Sequence, residues 1–432
     1  MDQSESSPQS ILSDRVTVNG TVTQLTLTAD GKLRWTDRGQ RCLTIEKEVL
    51  GFVIEGARIR IKAVVDSEDS IFCAGSKGTL VRKDFVFHPL NEDQQRIWFQ
   101  HLRDYLDSLG RPKRLFVFVN PFGGKKSASK VFRDVVKPLL EDADVQITVQ
   151  GTGNGMAKSL LDSVGEPCEA SNAILAVIRG HKRSLDVAAI LQGETKFFSV
   201  LMLSWGLVAD IDIESEKYRW MGTARLDFYA IQRIIHLRKY NGRISFVPAP
   251  GFESYGEPSN YNGETTGKQS ISISSQEQPV KIDQHGYQGP DVDLINLEWR
   301  TISGPFVSIW LHNVPWGGED VMAAPDAKFS DGYLDLILIG ECPKLSLLTL
   351  LSELKTGGHV KSPYVIYLKV KAFVLEPGPR ADEPMKEGII DVDGEVLARG
   401  NGSYKCERPT LMAYDKLQIT VDPGLATLFT PV

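Results

Sequence analysis

Cysteine offers this chain no structural framework. Its five cysteines, Cys42, Cys73, Cys168, Cys342 and Cys406, are far apart, odd in number and include no CxxC pair. That argues for a reducing compartment, against disulfide staples and against a zinc ribbon. The seven histidines include no HExxH. A basic excess is also missing: the formal charge is -6 and the pI about 5.8. A general nucleic-acid binder carries the opposite balance, so nucleic acid is not an expected partner. Any bound anion must be held locally. Long hydrophobic runs are lacking too. The longest, residues 197–209, is broken by Ser199, Ser204 and Gly206 and is too short to span a bilayer. The first ten residues are polar and acidic and read as no signal peptide. The expectation is a cytoplasmic protein, attached at most peripherally to a membrane surface.

What is present suits a folded, multi-domain chain. Of 432 residues, 42% are apolar and 24% charged, enough for a sizeable core. At about 150 residues per domain, the length suggests about three domains. Residues 1–13 read as a disordered tail. From residue 14 short alternating segments follow one another, with hairpin signals at Asn19-Gly20 and Asp30-Gly31. Across residues 91–109 the period becomes helical, through Ile97, Trp98, His101, Leu102, Tyr105 and Leu106. Meandering strands closed by one Trp-bearing helix resemble a pleckstrin-homology-like (PH-like) module over residues 14–110. Such a module would either dock on lipid or only pack on its neighbour. No dense Lys/Arg cluster for phosphoinositides is evident.

Residues 115–119 form a continuous apolar run, as expected of a buried parallel strand. A loop, a helix over 127–140 and a strand over 145–149 would follow, a β–loop–α–β unit. Residues 183–249 and 296–432 are strand-rich, with helices over 219–238 and 344–354. The stretch 252–292 is rich in Gly, Ser, Gln and Tyr without periodicity and reads as a flexible insertion.

Four segments carry chemistry. Asn120-Pro121-Phe122-Gly123-Gly124-Lys125-Lys126 follows the buried strand. Glycines let backbone approach phosphate oxygens, and helix N–H groups then face the anion. It is not a Walker A loop, and a plain strand-to-helix turn is the alternative. Gly151-Thr152-Gly153-Asn154-Gly155 precedes a second helix start. It misses the GxGxxG spacing, so it is either an anion cradle or a turn. In residues 209–220, alternation would put Asp210, Asp212 and Glu214 on one side of an extended segment. A carboxylate there could hold a substrate ammonium or hydroxyl, and Arg219 and Arg225 could pair with phosphates. Finally, Asp393-Gly394 gives a tight turn presenting Glu395, with a similar Asp331-Gly332 turn upstream.

In this order, the segments 115–126, 151–155, 197–225, 324–336 and 393–395 resemble the sphingosine kinases, plant-type, within the diacylglycerol-kinase-like lipid kinases. The stretch 198–219 is the most specific and resembles the long-chain-base branch. The resemblance implies an α/β plus all-β fold. A nucleotide-binding domain at 111–182 would be followed by a β-rich, sandwich-like lipid-binding domain at 183–432, with ATP and Mg²⁺ between them. It implies nucleotide contacts at Asn120, Pro121, Phe122, Gly151, Thr152, Gly153, Arg219, Arg225, Asp393, Gly394 and Glu395. Asp212 would hold the head group of a sphingoid long-chain base. A homodimer is left open.

One part of the family pattern is absent. The family has a Gly-Asp-Gly between the two glycine loops, and its Asp is the proposed general base. Here strand 145–149 runs within two residues into Gly151, with no Gly-Asp-Gly between. At about 30 residues per βαβ unit, about two units are missing. The middle region holds only about 70 residues, below the 100–150 typical of a domain. No catalytic base is assigned. The expectation is a lipid kinase with impaired turnover. The alternatives are a non-catalytic splice form or pseudokinase that binds sphingolipid or membrane, and a diacylglycerol or ceramide kinase.

Overall fold

The computed structural model describes residues 9–66, 80–117, 128–149, 155–222, 224–259, 294, 297–404 and 410–431. The chain divides into two compact units, each taken by itself below. The first comprises residues 1–153, 160–182 and 429–432, and the second 154–159 and 183–428.

The first unit opens with strands β1 (Ser10–Val18), β2 (Thr21–Thr28), β3 (Lys32–Thr36) and β4 (Gln40–Thr44). A single helical turn, α1 (Ile45–Glu48), leads to β5 (Val49–Glu55), β6 (Arg58–Asp66) and β7 (Leu80–Pro89). Together they form a seven-stranded antiparallel sheet in the order β4-β3-β2-β1-β7-β6-β5. Asn19 (φ 49°) and Gly20 (φ 84°) make the tight turn expected between β1 and β2. Helix α2 (Glu92–Ser108) closes the sheet, its Asn91 side chain accepting from the Gln94 N–H as an N-cap. Trp98 is fully buried, and its Nε1–H donates to Asp14 across 3.1 Å.

Two parallel strands follow, β8 (Arg114–Val117) and β9 (Gln146–Val149), in register Arg114↔Gln146. Between them lie α3 (Ala128–Val131), a π-turn (Phe132–Val136) and α4 (Lys137–Asp142), where one continuous helix was expected. Helix α5 (Gly155–Asp162) is divided in sequence between the two units, and helix α6 (Ala170–Arg179) completes the α/β part. Its core is not self-contained. Leu139, Leu140, Leu175 and Ile178 pack with Leu50 and Val64 of the seven-stranded sheet. Arg111 donates to the carbonyls of Ile45, Glu46, Val49 and Leu50 at 2.8–3.0 Å. Asp142 pairs with Lys62 at 2.9 Å and with Arg82.

The second unit is built on one antiparallel sheet. It contains β10 (Lys182–Gln192), β11 (Thr195–Ser199) and β12 (Met202–Gly206), then helices α7 (Leu207–Glu214) and α8 (Ala224–Ile235). A 3₁₀ turn, Ser215–Met221, joins the two helices. Strands β13 (Tyr240–Pro248), β14 (Glu257–Ser259), β15 (Trp299–Ser303) and β16 (Ser308–His312) follow. A small hairpin, β17 (Trp316–Gly318) with β18 (Val321–Met322), precedes β19 (Leu334–Ile339), and α9 (Lys344–Glu353) precedes β20 (Val365–Arg380). The chain ends with β21 (Ile389–Val392), β22 (Glu395–Arg399) and β23 (Leu417–Phe429). The main path runs β11-β10-β23-β20-β19-β16-β12-β21-β22, and β13 branches from it to pair with β20 and β15. The branching lets the sheet curl, so that Ile190, Leu203, Ile244, Ile309, Phe373 and Ile419 share one core. Thus a mixed α/β region precedes a β-rich domain, as expected. The insertion expected at 252–292 falls for the most part outside the described residues.

One residue aims the helix that matters most. Gly206 ends β12 at φ 90°, and a Cβ there would stand 2.5 Å from the Val307 carbonyl oxygen. A side chain is therefore opposed twice, by the backbone conformation and by the close approach. Gly206→Ala should destabilise the chain by about 1–3 kcal/mol, read as a lower midpoint in denaturant unfolding.

Candidate functional site

The segment 207–214 is a helix, not the extended run that alternation suggested. Released from β12 by Gly206, it continues as α7. Residues four apart therefore share a face, and residues two apart do not. Asp210 and Glu214 point together into a buried ion-pair network. Arg238 reaches Glu214 at 2.7 Å and Asp210 at 3.1 Å, and the Tyr240 hydroxyl donates to Asp210 at 2.7 Å. Tyr229 also donates to Glu214. Burial raises the pKa of Asp210, whereas the bonds from Arg238 and Tyr229 overcome burial and lower that of Glu214. These two carboxylates hold the helix in place.

Asp212 faces elsewhere, toward the hairpin of β21 and β22. Strand β21 pairs with β12 so that Asp391 lies opposite Ser204. The Ser204 hydroxyl donates to Asp391 Oδ2 at 3.1 Å, and the Asp391 side chain is wholly buried. Its Oδ1 meets no ordinary donor among the described residues. The side chains of Asp391 and Asp212 interact directly. Two carboxylates cannot bond unless one holds a proton. Burial and then the charge of Asp212 push the Asp391 pKa well above the usual range. Of the two, Asp391 is the one favoured to hold a proton toward Asp212. Burial raises Asp212 too, against the opposing pull of Arg225, while Glu216 and Glu395 add repulsion.

The expected turn at Asp393-Gly394 is present, with φ 53° and 85° between β21 and β22. Asp393 Oδ1 accepts from Ser199 Oγ at 2.7 Å and from the N–H groups of Leu201 and Met202 at 3.0 and 2.9 Å. Oδ2 accepts from the Val200 N–H at 3.1 Å. Asp393 thus brackets the β11–β12 turn. Arg225 donates to Ser215 Oγ at 2.8 Å. Arg219 is mostly exposed and reaches Glu216 at 2.6 Å. Arg225 and Glu395 each come within electrostatic range of Asp212. Asn120, Pro121, Phe122, Gly151, Thr152 and Gly153 lie outside the described residues.

Asp391 was missed by sequence reasoning, which stopped at the turn beside it. A signal was available: Asp391 is the one polar residue in the apolar run Ile389–Val392 of a central strand. Among the described residues, no group of three or more His, Cys, Asp or Glu is placed to hold a metal ion. No described helix is long and apolar enough to cross a membrane.

The β-rich domain matches a known family model, the YegS C-terminal NAD kinase beta sandwich-like domain, over residues 285–413. Across the whole chain the likeness is closer. Sphingosine kinase 1 of Arabidopsis thaliana is 54% identical over 480 residues, covering 98% of this chain and 96% of that protein. The chain belongs to the sphingosine kinase family. Sphingosine kinase 2 of the same plant is 55% identical over 485 residues, covering 98% of each chain. Human sphingosine kinase 1 is 26% identical, covering 67% of this chain and 87% of that one. Both plant alignments are longer than the 432 residues of this member, so the plant relatives carry residues that it lacks.

Asp391→Asn isolates the buried proton, because an amide mimics the protonated acid. The native pKa lies above the unfolded one, near 3.9. Wild type therefore loses stability relative to the Asn variant as pH rises from about 4, by about 1.4 kcal/mol per unit until the native pKa is passed. Denaturant melts of both proteins at several pH values check this. Parallel curves would refute the shared proton.

Proposed function

We propose that this chain serves sphingoid-base phosphorylation: transfer of the ATP γ-phosphate to the primary hydroxyl of a long-chain base. The observation that carries this is the placement of Asp212, a carboxylate held by a buried acid and facing Arg225 and the 393–395 hairpin. An ionised Asp212 offers a sphingoid head group a counter-charge and a hydrogen-bond acceptor. Asp391 keeps that carboxylate oriented. Arg219, exposed and held only lightly, and Arg225 suit the phosphates of a nucleotide. Asn120, Pro121, Phe122, Gly151, Thr152 and Gly153 are proposed for the rest of that contact, with Asp393, Gly394 and Glu395 closing the turn beside it. ATP with Mg²⁺ supplies the phosphoryl group and neutralises its charge when bound. The substrate hydroxyl, however, meets no assigned base.

The proposed organisation is a PH-like module at 14–110, a shortened nucleotide domain at 111–182 and a lipid-binding domain at 183–432. Antiparallel strand order and the closing helix α2 support the first assignment. The pair β8–β9 supports the second, being the whole of the parallel sheet among the described residues. Phosphoryl transfer depends on positioning, so missing strands remove more than a base. Contact with a membrane surface is supported by apolar side chains left exposed on α8 (Phe228, Ile231 and Ile235) and at Trp220, which is 82% exposed.

Turnover should accordingly be severely reduced. Labelled ATP and a sphingoid base, assayed beside a version with the missing segment restored, measure it. Equal turnover would overturn the proposal. A non-catalytic lipid-binding role remains the second reading, favoured by the intact surroundings of Asp212. There, sphingoid base binds without turnover, and Asp212→Ala weakens binding by about tenfold, the typical scale of one lost charged hydrogen bond. Titration of the lipid into both proteins distinguishes them. Competition with diacylglycerol and ceramide separates the remaining lipid classes.

A further inference from the structure

The second unit holds another polar cavity, of about 400 Å³, lined by none of the residues assigned above to nucleotide or lipid. Five cations meet there: Lys217, Arg233, Arg238, Arg380 and Lys386. They come from four parts of the fold, the 3₁₀ turn after α7, helix α8 and its exit, the end of β20, and the loop before β21. Three carboxylates answer them. Arg238 pairs with Asp210 and Glu214, and Arg233 Nε stands 3.9 Å from Asp210. Glu383 is shared by Arg380 at 3.1 Å and Lys386 at 2.5 Å. The local balance is therefore positive by two charges.

The cations are also under-bonded. Arg233 and Arg380 are 6% and 4% exposed, and the Nε–H of each makes no hydrogen bond among the described residues. Buried donors without acceptors are costly, and a guanidinium is shaped for oxygen anions. Lys217 is held by ring faces, 4.4 Å from the centre of Tyr229, and donates to that hydroxyl at 3.3 Å. The Tyr229 hydroxyl in turn donates a hydrogen bond to Glu214. No carboxylate therefore neutralises Lys217 directly within the cavity lining. A doubly charged, acceptor-rich group would meet the charge excess and the idle donors together.

We propose that this cavity binds a phosphate monoester or free phosphate as a dianion, at a site separate from the nucleotide. Two titrants distinguish the sources: inorganic phosphate by calorimetry, and phosphatidylcholine vesicles with and without ceramide 1-phosphate by co-sedimentation. The full chain is compared with Arg380→Gln and Lys386→Gln. Lys386 is half exposed and lies outside the core, so its variant keeps the fold if Arg380→Gln does not. At least one titrant should bind wild type and bind Lys386→Gln about tenfold more weakly, as loss of a charge-assisted contact predicts. Loss confined to vesicles assigns a lipid head group, and loss confined to inorganic phosphate assigns a soluble one. No binding of either titrant, or equal binding by wild type and Lys386→Gln, would overturn the site.

Discussion

A side chain at position 206 would collide with the Val307 carbonyl oxygen, and the helix beyond depends on that contact being empty. Because the backbone turns out of β12 within one residue, α7 starts against β16 and beside β21. Its three acids are thereby sorted by helical geometry. Asp210 and Glu214, four apart, go to Arg238 and Tyr240. Asp212, between them in sequence, is left for the hairpin. One short helix thus separates charge that anchors from charge that can act.

The two groups of acids solve burial differently. Asp210 and Glu214 remain tolerable through arginine and tyrosine partners. For Asp391, burial and the neighbouring charge of Asp212 instead favour the protonated acid. Asp393 takes a third course, filling its oxygens with one hydroxyl and three backbone N–H groups. A carboxylate bonded to local backbone fixes geometry firmly. The turn it brackets is the turn that delivers β12, and hence α7, to the site. The hairpin residues proposed as a nucleotide contact therefore also have a mechanical task.

Much of this could be read from the residues themselves. The Asn-Gly turn, helix α2, the parallel pair and the Leu-rich helix α9 all announce themselves by period and punctuation. Helix α7 does not. Its residues alternate Asp-Ile-Asp-Ile-Glu, which imitates a strand, and the deciding constraint is a backbone contact 101 residues away at Val307. The helix between β8 and β9 was legible over 127–140, but its π-turn was not, since register slips leave no compositional mark. Asp391 escaped because local reasoning assigned importance to the turn and not to the strand entering it. The shortage in the α/β region was visible only as a break in motif order. Composition alone would have passed it unnoticed.

The α/β remnant also leans on the strands that precede it. At Gly51 of β5, a Cβ would sit 2.4 Å from the Asp142 carbonyl oxygen, so strand and helix α4 touch through bare backbone. Arg111 is sealed in beneath four carbonyls of 45–50, where burial draws its pKa down to about 10. Leu50 and Val64 fill the same core as Leu140 and Ile178. Two strands and a few helices are too little to enclose a core, and the neighbouring sheet stands in as the absent layer. Domain boundaries drawn by ancestry and those drawn by cooperativity therefore part company here. A fragment beginning at Arg111 would keep the kinase motifs and lose the wall against which they fold.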